Sequence, residues 1–321
     1  MKFFELSPLA AILLTAGAFT AMAQPSPSKL VTLNVVALDS TGKPVKDLTA
    51  SDISVFDNNS PQKIVNLRLN QSDGPRALVV LFDLMNSSEN SRGAVWEAMK
   101  TSLAHTPASD SLYLYLLVED GSLYPVHPLS AAPGEPWTED AVALLDVAMN
   151  KVNQLKPVEL RFNPSVHFNT TVRALDDIRA EMAALHGPKE LLWVTYGIPS
   201  SIRYAGGWFD GAPILQQLGA RFVQSEIAVY TADPGMNLER GMLNRDSLDI
   251  LTGATGGRTF STIDLNQAIT QAEADARTNY TLEYQPPAKN WDGKYHKLRV
   301  SSDRKGIRIQ SQHGYFAVLG S

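Results

Sequence analysis

The sequence predicts an α/β protein in which a doubly wound, mostly parallel sheet is inserted in, or flanked by, a small antiparallel β-rich domain. Three observations carry that expectation. Continuous apolar runs such as 77–82 recur, as in strands buried on both faces. Segments of helical spacing alternate with them. Strands with a period of two are gathered towards both ends of the chain.

The first element is an export signal over 1–23. Lys2 gives a positive start, 9–18 is apolar, and Ala21-Met22-Ala23 offers a small-x-small cleavage site before Gln24. An apolar core of about ten residues is short of the roughly 20 that span a bilayer, and no later stretch comes closer, so no membrane anchor is expected. The destination is therefore secreted or periplasmic. The chain has 321 residues and no cysteine, which removes disulfides, thiol chemistry and diacyl-lipid attachment. Its formal charge of -5 comes with acidic and basic residues interspersed, so no nucleic-acid partner is expected.

Residues 24–73 read as the N-terminal part of the β-rich domain. After a Pro-rich linker over 24–28, Val31, Leu33, Val35 and Ala37 alternate as a half-buried strand. Asp39 to Gly42 form a turn, and short strands over 52–56 and 63–69 flank the turn-forming run 57–61. At Gly74-Pro75 the texture changes, and 74–265 reads as the α/β domain. Its first strand, 77–82, ends in Asp83. Helical faces follow in Val95, Met99 and Leu103, in Val142, Leu145, Met149 and Val152, and in Val172, Leu175, Met182 and Leu185. The remaining strands are 112–118, 123–126, 191–195, 227–231 and 258–260. The connection 119–123 is too short for a crossover helix, so it should be a hairpin with one antiparallel strand. Residues 266–321 give a connecting helix and the C-terminal part of the β-rich domain, with Tyr280, Leu282 and Tyr284, then Leu298 and Val300, then Ile307 and Ile309 alternating.

In open parallel sheets, ligands sit at the carboxyl ends of strands, which directs attention to the loops beginning at Asp83 and Thr195. The first reads Asp83-Leu84-Met85-Asn86-Ser87-Ser88. A strand-end carboxylate followed by hydroxyl and amide groups suits a hard cation that wants oxygen ligands.

Here the chain resembles the von Willebrand factor A (vWA) domain, a Rossmann-like fold whose metal-ion-dependent adhesion site uses an Asp-x-Ser-x-Ser loop, a Thr from a second loop and an Asp in a third. Asp83 and Ser87 match the ends of the first motif, and Met85 replaces its middle Ser. Thr170 or Thr171 matches the Thr, and Thr195-Tyr196-Gly197 replaces Thr-Asp-Gly. Across the mature chain there is a further resemblance to the VWFA-related proteins of acidobacteria. It rests on Gly42-Lys-Pro-Val45, Leu48-x-x-x-Asp52, Thr255-Gly-Gly-Arg258, Tyr280-x-Leu-x-Tyr-x-Pro286, Asp292-Gly293 and Gly314-Tyr315-Phe316.

The resemblance implies Mg2+ or Mn2+ at Asp83, Ser87, Thr170 and Thr171 in a degenerate site. Against that stands a plain reading in which Asp83 caps the following helix and survives as a remnant of the fold. Tyr196 is an aromatic contact or a packing residue. Trp208, in the glycine-rich 205–211, is a hot-spot anchor or simple loop packing. The six histidines are scattered without a zinc pattern, no Gly-x-Ser-x-Gly elbow occurs, and 253–259 lacks the Lys of a phosphate loop. The expected function is an exported protein-interaction module of adhesion type, without catalysis. It would meet a protein partner outside the cytoplasm through Asp83, Asn86, Ser87, Thr170, Tyr196 and Trp208. The alternatives are a scaffold or subunit of a cell-envelope assembly and, more remotely, a metal-assisted hydrolase with Asp83 as ligand.

Overall fold

The structure, a computed structural model, describes residues 29–72, 76–87, 89–104, 111–130, 143, 145–150, 163–204, 206–234, 238–262 and 264–318. The signal segment 1–23, the linker 24–28, Gly74-Pro75, Ser88, His105, Val142, Val152 and Ala205 lie outside the described residues, as do the side chains of Val95 and Leu103.

Both ends of the chain build one β-rich body. From the N-terminal end come β1 (Val31–Leu38), β2 (Ile53–Asp57), β3 (Ser60–Gln62) and β4 (Ile64–Gln71). From the other end come β13 (Thr278–Tyr284), β14 (Tyr295–Ser302), β15 (Arg308–Ser311) and β16 (Gly314–Phe316). They form two four-stranded antiparallel sheets, ordered β15-β1-β13-β4 and β16-β14-β2-β3. Alternation dictates what lies between them. Val31, Leu33 and Val35 of β1 meet Tyr280, Leu282 and Tyr284 of β13, with Ile53 and Val55 of β2 and Leu298 of β14 in the same core. The β2–β3 hairpin turns on Asn58 and Asn59, at φ 45° and 65°, a left-handed pair that asparagine tolerates better than most residues.

Between these halves lies β5 (Ala77–Asp83), α1 (Glu89–Ala104), β6 (Ser111–Leu117), β7 (Leu123–His127), α2 (Pro164–Ala183) and β8 (Lys189–Val194). The chain continues through β9 (Ser201–Tyr204), β10 (Gly207–Asp210), α3 (Ala212–Gln224), β11 (Ile227–Ala232), α4 (Leu238–Thr255), β12 (Thr259–Phe260) and α5 (Leu265–Arg277). Six of these strands form one sheet in the order β12-β11-β8-β5-β6-β7, parallel except for the β6–β7 pair. Its faces are read by residue parity. Leu78, Val80 and Phe82 pack with Trp96 and Met99 of α1 and Ala268 and Ile269 of α5. Val79, Leu81 and Trp193 pack with Phe168 and Leu175 of α2, Leu218 and Phe222 of α3, and Leu251 of α4. The α2 start is fixed locally, since Asn163 caps the Ser165 amide and Pro164 occupies the first turn, where its missing N–H costs nothing.

The C-terminal turn of α4 ties this sheet to the β-rich body. The His313 amide donates to the Gly253 carbonyl at 2.7 Å, and Gln310 Nε2 donates to the Gly256 carbonyl at 3.0 Å. The His313 ring lies where a Cβ on residue 253 would stand, so the approach requires glycine.

The expected architecture, a doubly wound and mostly parallel sheet with one small β-rich domain, is corrected by this topology. Among the described residues there are four sheets. Three, of four, four and two strands, are antiparallel throughout, and the fourth is mixed. The apolar runs 77–82 and 191–194 dominated the periodicity, while Ser60–Gln62, Ser201–Tyr204, Gly207–Asp210 and Gly314–Phe316 are too short for any period to register. Of the segment 205–211, read as a loop, Gly207–Asp210 is instead the second strand of the β9–β10 hairpin.

Candidate functional site

The site forms where β5 and β8 end side by side. Their register sets Phe82 beside Val194, so Asp83 and Thr195 follow as neighbouring strand ends. Asp83 is fully buried, and four donors converge on its carboxylate. The Asn86 amide N–H reaches Oδ1 at 2.9 Å. Asn86 Nδ2, Thr195 Oγ1 and Trp193 Nε1 reach Oδ2 at 2.8, 2.8 and 3.2 Å. Burial raises the Asp83 pKa above the ordinary carboxylate value, and the bonds from Asn86, Thr195 and Trp193 oppose that shift by favouring the ionised form.

The loop is folded onto its own strand end. Ser87 Oγ donates to the Asp83 carbonyl, and the Leu84 and Met85 amides donate to the Leu117 carbonyl at 2.9 and 3.2 Å. Asn86 Nδ2 also donates to Thr171 Oγ1 on α2 at 2.9 Å, and Asn86 Oδ1 lies 3.4 Å from His167 Nδ1. On the third loop, Thr195 Oγ1 accepts from the Gly197 amide at 3.0 Å. Gly197 has φ 76°, and a Cβ there would stand 2.5 Å from the Asn244 carbonyl oxygen of α4, so two separate constraints demand glycine.

Asp83, Asn86, Ser87 and Thr171 are thus brought together. Thr170, one residue away on α2, turns elsewhere: its methyl group fills the space beside Gly121 in the β6–β7 turn. Tyr196 packs, half-buried, against the α1/α5 face of the sheet, opposite to α2. Trp208 stands on the β9–β10 hairpin with 66% of its surface exposed. The Arg203 guanidinium lies over its ring at 5.8 Å, and neighbouring Phe209 meets Phe168 edge-on at 5.2 Å. Sequence reasoning missed Trp193, His167 and Arg203. A strand-internal Trp and a helical His carry no pattern, and only the β5–β8 register shows that Trp193 reaches Asp83.

The residues present do not fit an octahedral cation. Asp83 is the only carboxylate among those brought together, and both its oxygens are engaged by N–H and O–H donors. Buried Met85 sets its thioether sulfur 4.0 Å from Thr171 Oγ1, a soft group where a hard cation wants oxygen. Among the described residues no group of three or more His, Cys, Asp or Glu side chains is arranged to hold a metal. The same residues offer no nucleophile paired with a base.

No protein-family model matches the chain, and no curated protein matches it. Solved structures similar to it include proximal thread matrix protein 1 from the mussel byssus, at 10% identity and TM-score 0.38, covering 66% of this chain and 48% of that one. The pilus adhesin SpaC from Lactobacillus rhamnosus GG, in its open conformation, is 10% identical with TM-score 0.40, over 84% of this chain and 48% of that one. The ArnB paralog VWA2 from Sulfolobus acidocaldarius is 9% identical with TM-score 0.37, over 89% and 75%. The chain spans about half the length of the first two. A VWA protein is therefore among the similar structures, and the finer likeness to the acidobacterial VWFA-related proteins has no counterpart in these three. With TM-scores below 0.5, these likenesses assign neither family nor function.

Proposed function

We propose that this chain is an exported protein-recognition module of adhesion type, without catalysis, whose contact surface is the β9–β10 hairpin and the adjoining strand-end loops. The observation that carries this reading is Trp208. A large aromatic residue is exposed, its ring is covered on one side by Arg203, and its strand is fixed to the body by the Phe209–Phe168 contact. An anchor held rigidly before binding loses little conformational entropy on contact, which is why Trp and Arg recur at interface hot spots. The partner is a protein outside the cytoplasm, and the von Willebrand factor A-like strand-end arrangement supplies the scaffold.

The test places a photo-crosslinking amino acid at position 210, beside the anchor, in the exported protein. Crosslinks to one envelope or extracellular protein that vanish in Trp208→Ala and persist in Val65→Ala support the reading. Crosslinks indifferent to Trp208→Ala remove it. A second reading, a subunit of an envelope assembly, rests on β4. This edge strand of eight residues pairs with β13 on one side alone among the described residues and exposes Val65 at 57%. In that case Val65→Lys disturbs assembly and Trp208→Ala does not.

A further inference from the structure

We infer that the side-chain amide of Asn86 takes the structural place of a divalent cation at the end of β5, bridging Asp83 and Thr171 and leaving the site closed to metal. The geometry is that of a bridge. Asn86 Nδ2 lies 2.8 Å from Asp83 Oδ2 and 2.9 Å from Thr171 Oγ1, so its two hydrogens serve one oxygen on the sheet and one on α2. The backbone amide of the same residue reaches Asp83 Oδ1 at 2.9 Å, so Asn86 grips both carboxylate oxygens. A cation ligated by Asp83 Oδ2 and Thr171 Oγ1 would sit about 2.1 Å from each, in the space Nδ2 now fills. For an ion to enter, the amide would have to rotate and present its carbonyl oxygen, giving up its contact with His167 Nδ1.

Charge points the same way. Asp83 is fully buried and meets no cationic side chain among the described residues, only neutral donors, and one carboxylate would leave a divalent ion half neutralised in a buried site. A neutral amide satisfies the same two oxygens without that residual charge. Recognition by this face therefore does not pass through a metal ion, and a partner carboxylate finds no ion to coordinate here. The inference stands apart from the recognition surface proposed above, because it concerns the stability of the loop and not capture through Trp208.

The experiment follows the thermal midpoint of the purified chain in EDTA and in saturating Mg2+ or Mn2+. The natural protein is expected to melt at the same temperature in all three. Asn86→Ala should fall by about 4–8 °C in EDTA, because the bridge is lost. Asn86→Asp, which exchanges the donor for a second carboxylate, should melt low in EDTA and rise saturably with Mn2+. A saturable rise of the natural protein with either ion overturns the inference. So does an Asn86→Ala variant that melts with the natural protein, or a folded Asn86→Asp variant that ignores both ions. If Asn86→Asp does not fold, the first two comparisons still decide.

Discussion

Replacing Asp83 by alanine separates a carboxylate that organises the fold from one retained to hold a metal. The substitution removes the acceptor of four hydrogen bonds at once. The Asn86 donors are half-buried and can turn to water. Trp193 and Thr195 cannot, because both are almost wholly inaccessible. Stranding those two donors costs about 1–3 kcal/mol each. Part of this is returned because a desolvated carboxylate, whose pKa burial has raised, is itself removed. The net expectation is a loss of about 3 kcal/mol, which for a domain of this class lowers the midpoint by about 6–12 °C. Asp83→Asn keeps the volume but sets an NH2 against donors, and it should fall between alanine and the natural residue. Calorimetric and urea unfolding in EDTA measure both. If either variant melts at or above the natural protein, Asp83 is a burden carried for a ligand, and the account of the site as a structural bond centre is wrong.

Burial pushes the carboxyl of Asp275 up to about 7, with Arg258 and Arg308 opposing the shift. Its folded value lies above its unfolded one, so the fold binds the proton more tightly and loses stability as pH rises from about 4 to about 7. Asp275→Asn should flatten that part of the urea-midpoint profile; equal slopes in the two proteins would refute it. In the β-rich body, His296 bridges buried Asp57 at 2.7 Å and Asp292 at 3.2 Å, while Tyr284 and Tyr315 donate to the other Asp57 oxygen at 3.1 and 3.0 Å. His296→Leu removes one of three side-chain partners of Asp57 and should cost about 1–3 kcal/mol, and chemical denaturation showing no loss would mean the tyrosines suffice. Gly257→Ala places a Cβ against the Val229 carbonyl oxygen. It should lower stability by about 3 kcal/mol and be visible in thermal melts, whereas Gly42→Ala, with open space around it but φ 83°, should cost only about 1 kcal/mol.

Much of the element content is legible without coordinates. Leu33 and Val35 announce a half-buried strand, and Leu78 to Phe82 announce a fully buried one, because side-chain parity is a local property. The brevity of 119–123 requires the β6–β7 hairpin for the same reason. Strand pairing is not local. Nothing in Val31 to Leu38 shows that its neighbours are Thr278–Tyr284 and Arg308–Ser311, more than two hundred residues away, and antiparallel strands of three or four residues carry little local signal.

The candidate site divides along the same line. The chain alone marks Asp83 as a strand-end carboxylate, and the family resemblance points to Thr170 or Thr171, which the structure places inside α2. It cannot choose between the threonines, because 100° of helical rotation per residue sends Thr171 to Asn86 and Thr170 to Gly121, and that choice depends on how α2 is docked. Nor can it show that Trp193 lies within reach of Asp83, since that follows from the register of β8 against β5. Sequence fixes which chemical groups are available and their local periodicity. Tertiary structure alone decides which donors meet the buried carboxylate, because long-range pairing and helix docking set distances between residues that no spacing along the chain encodes.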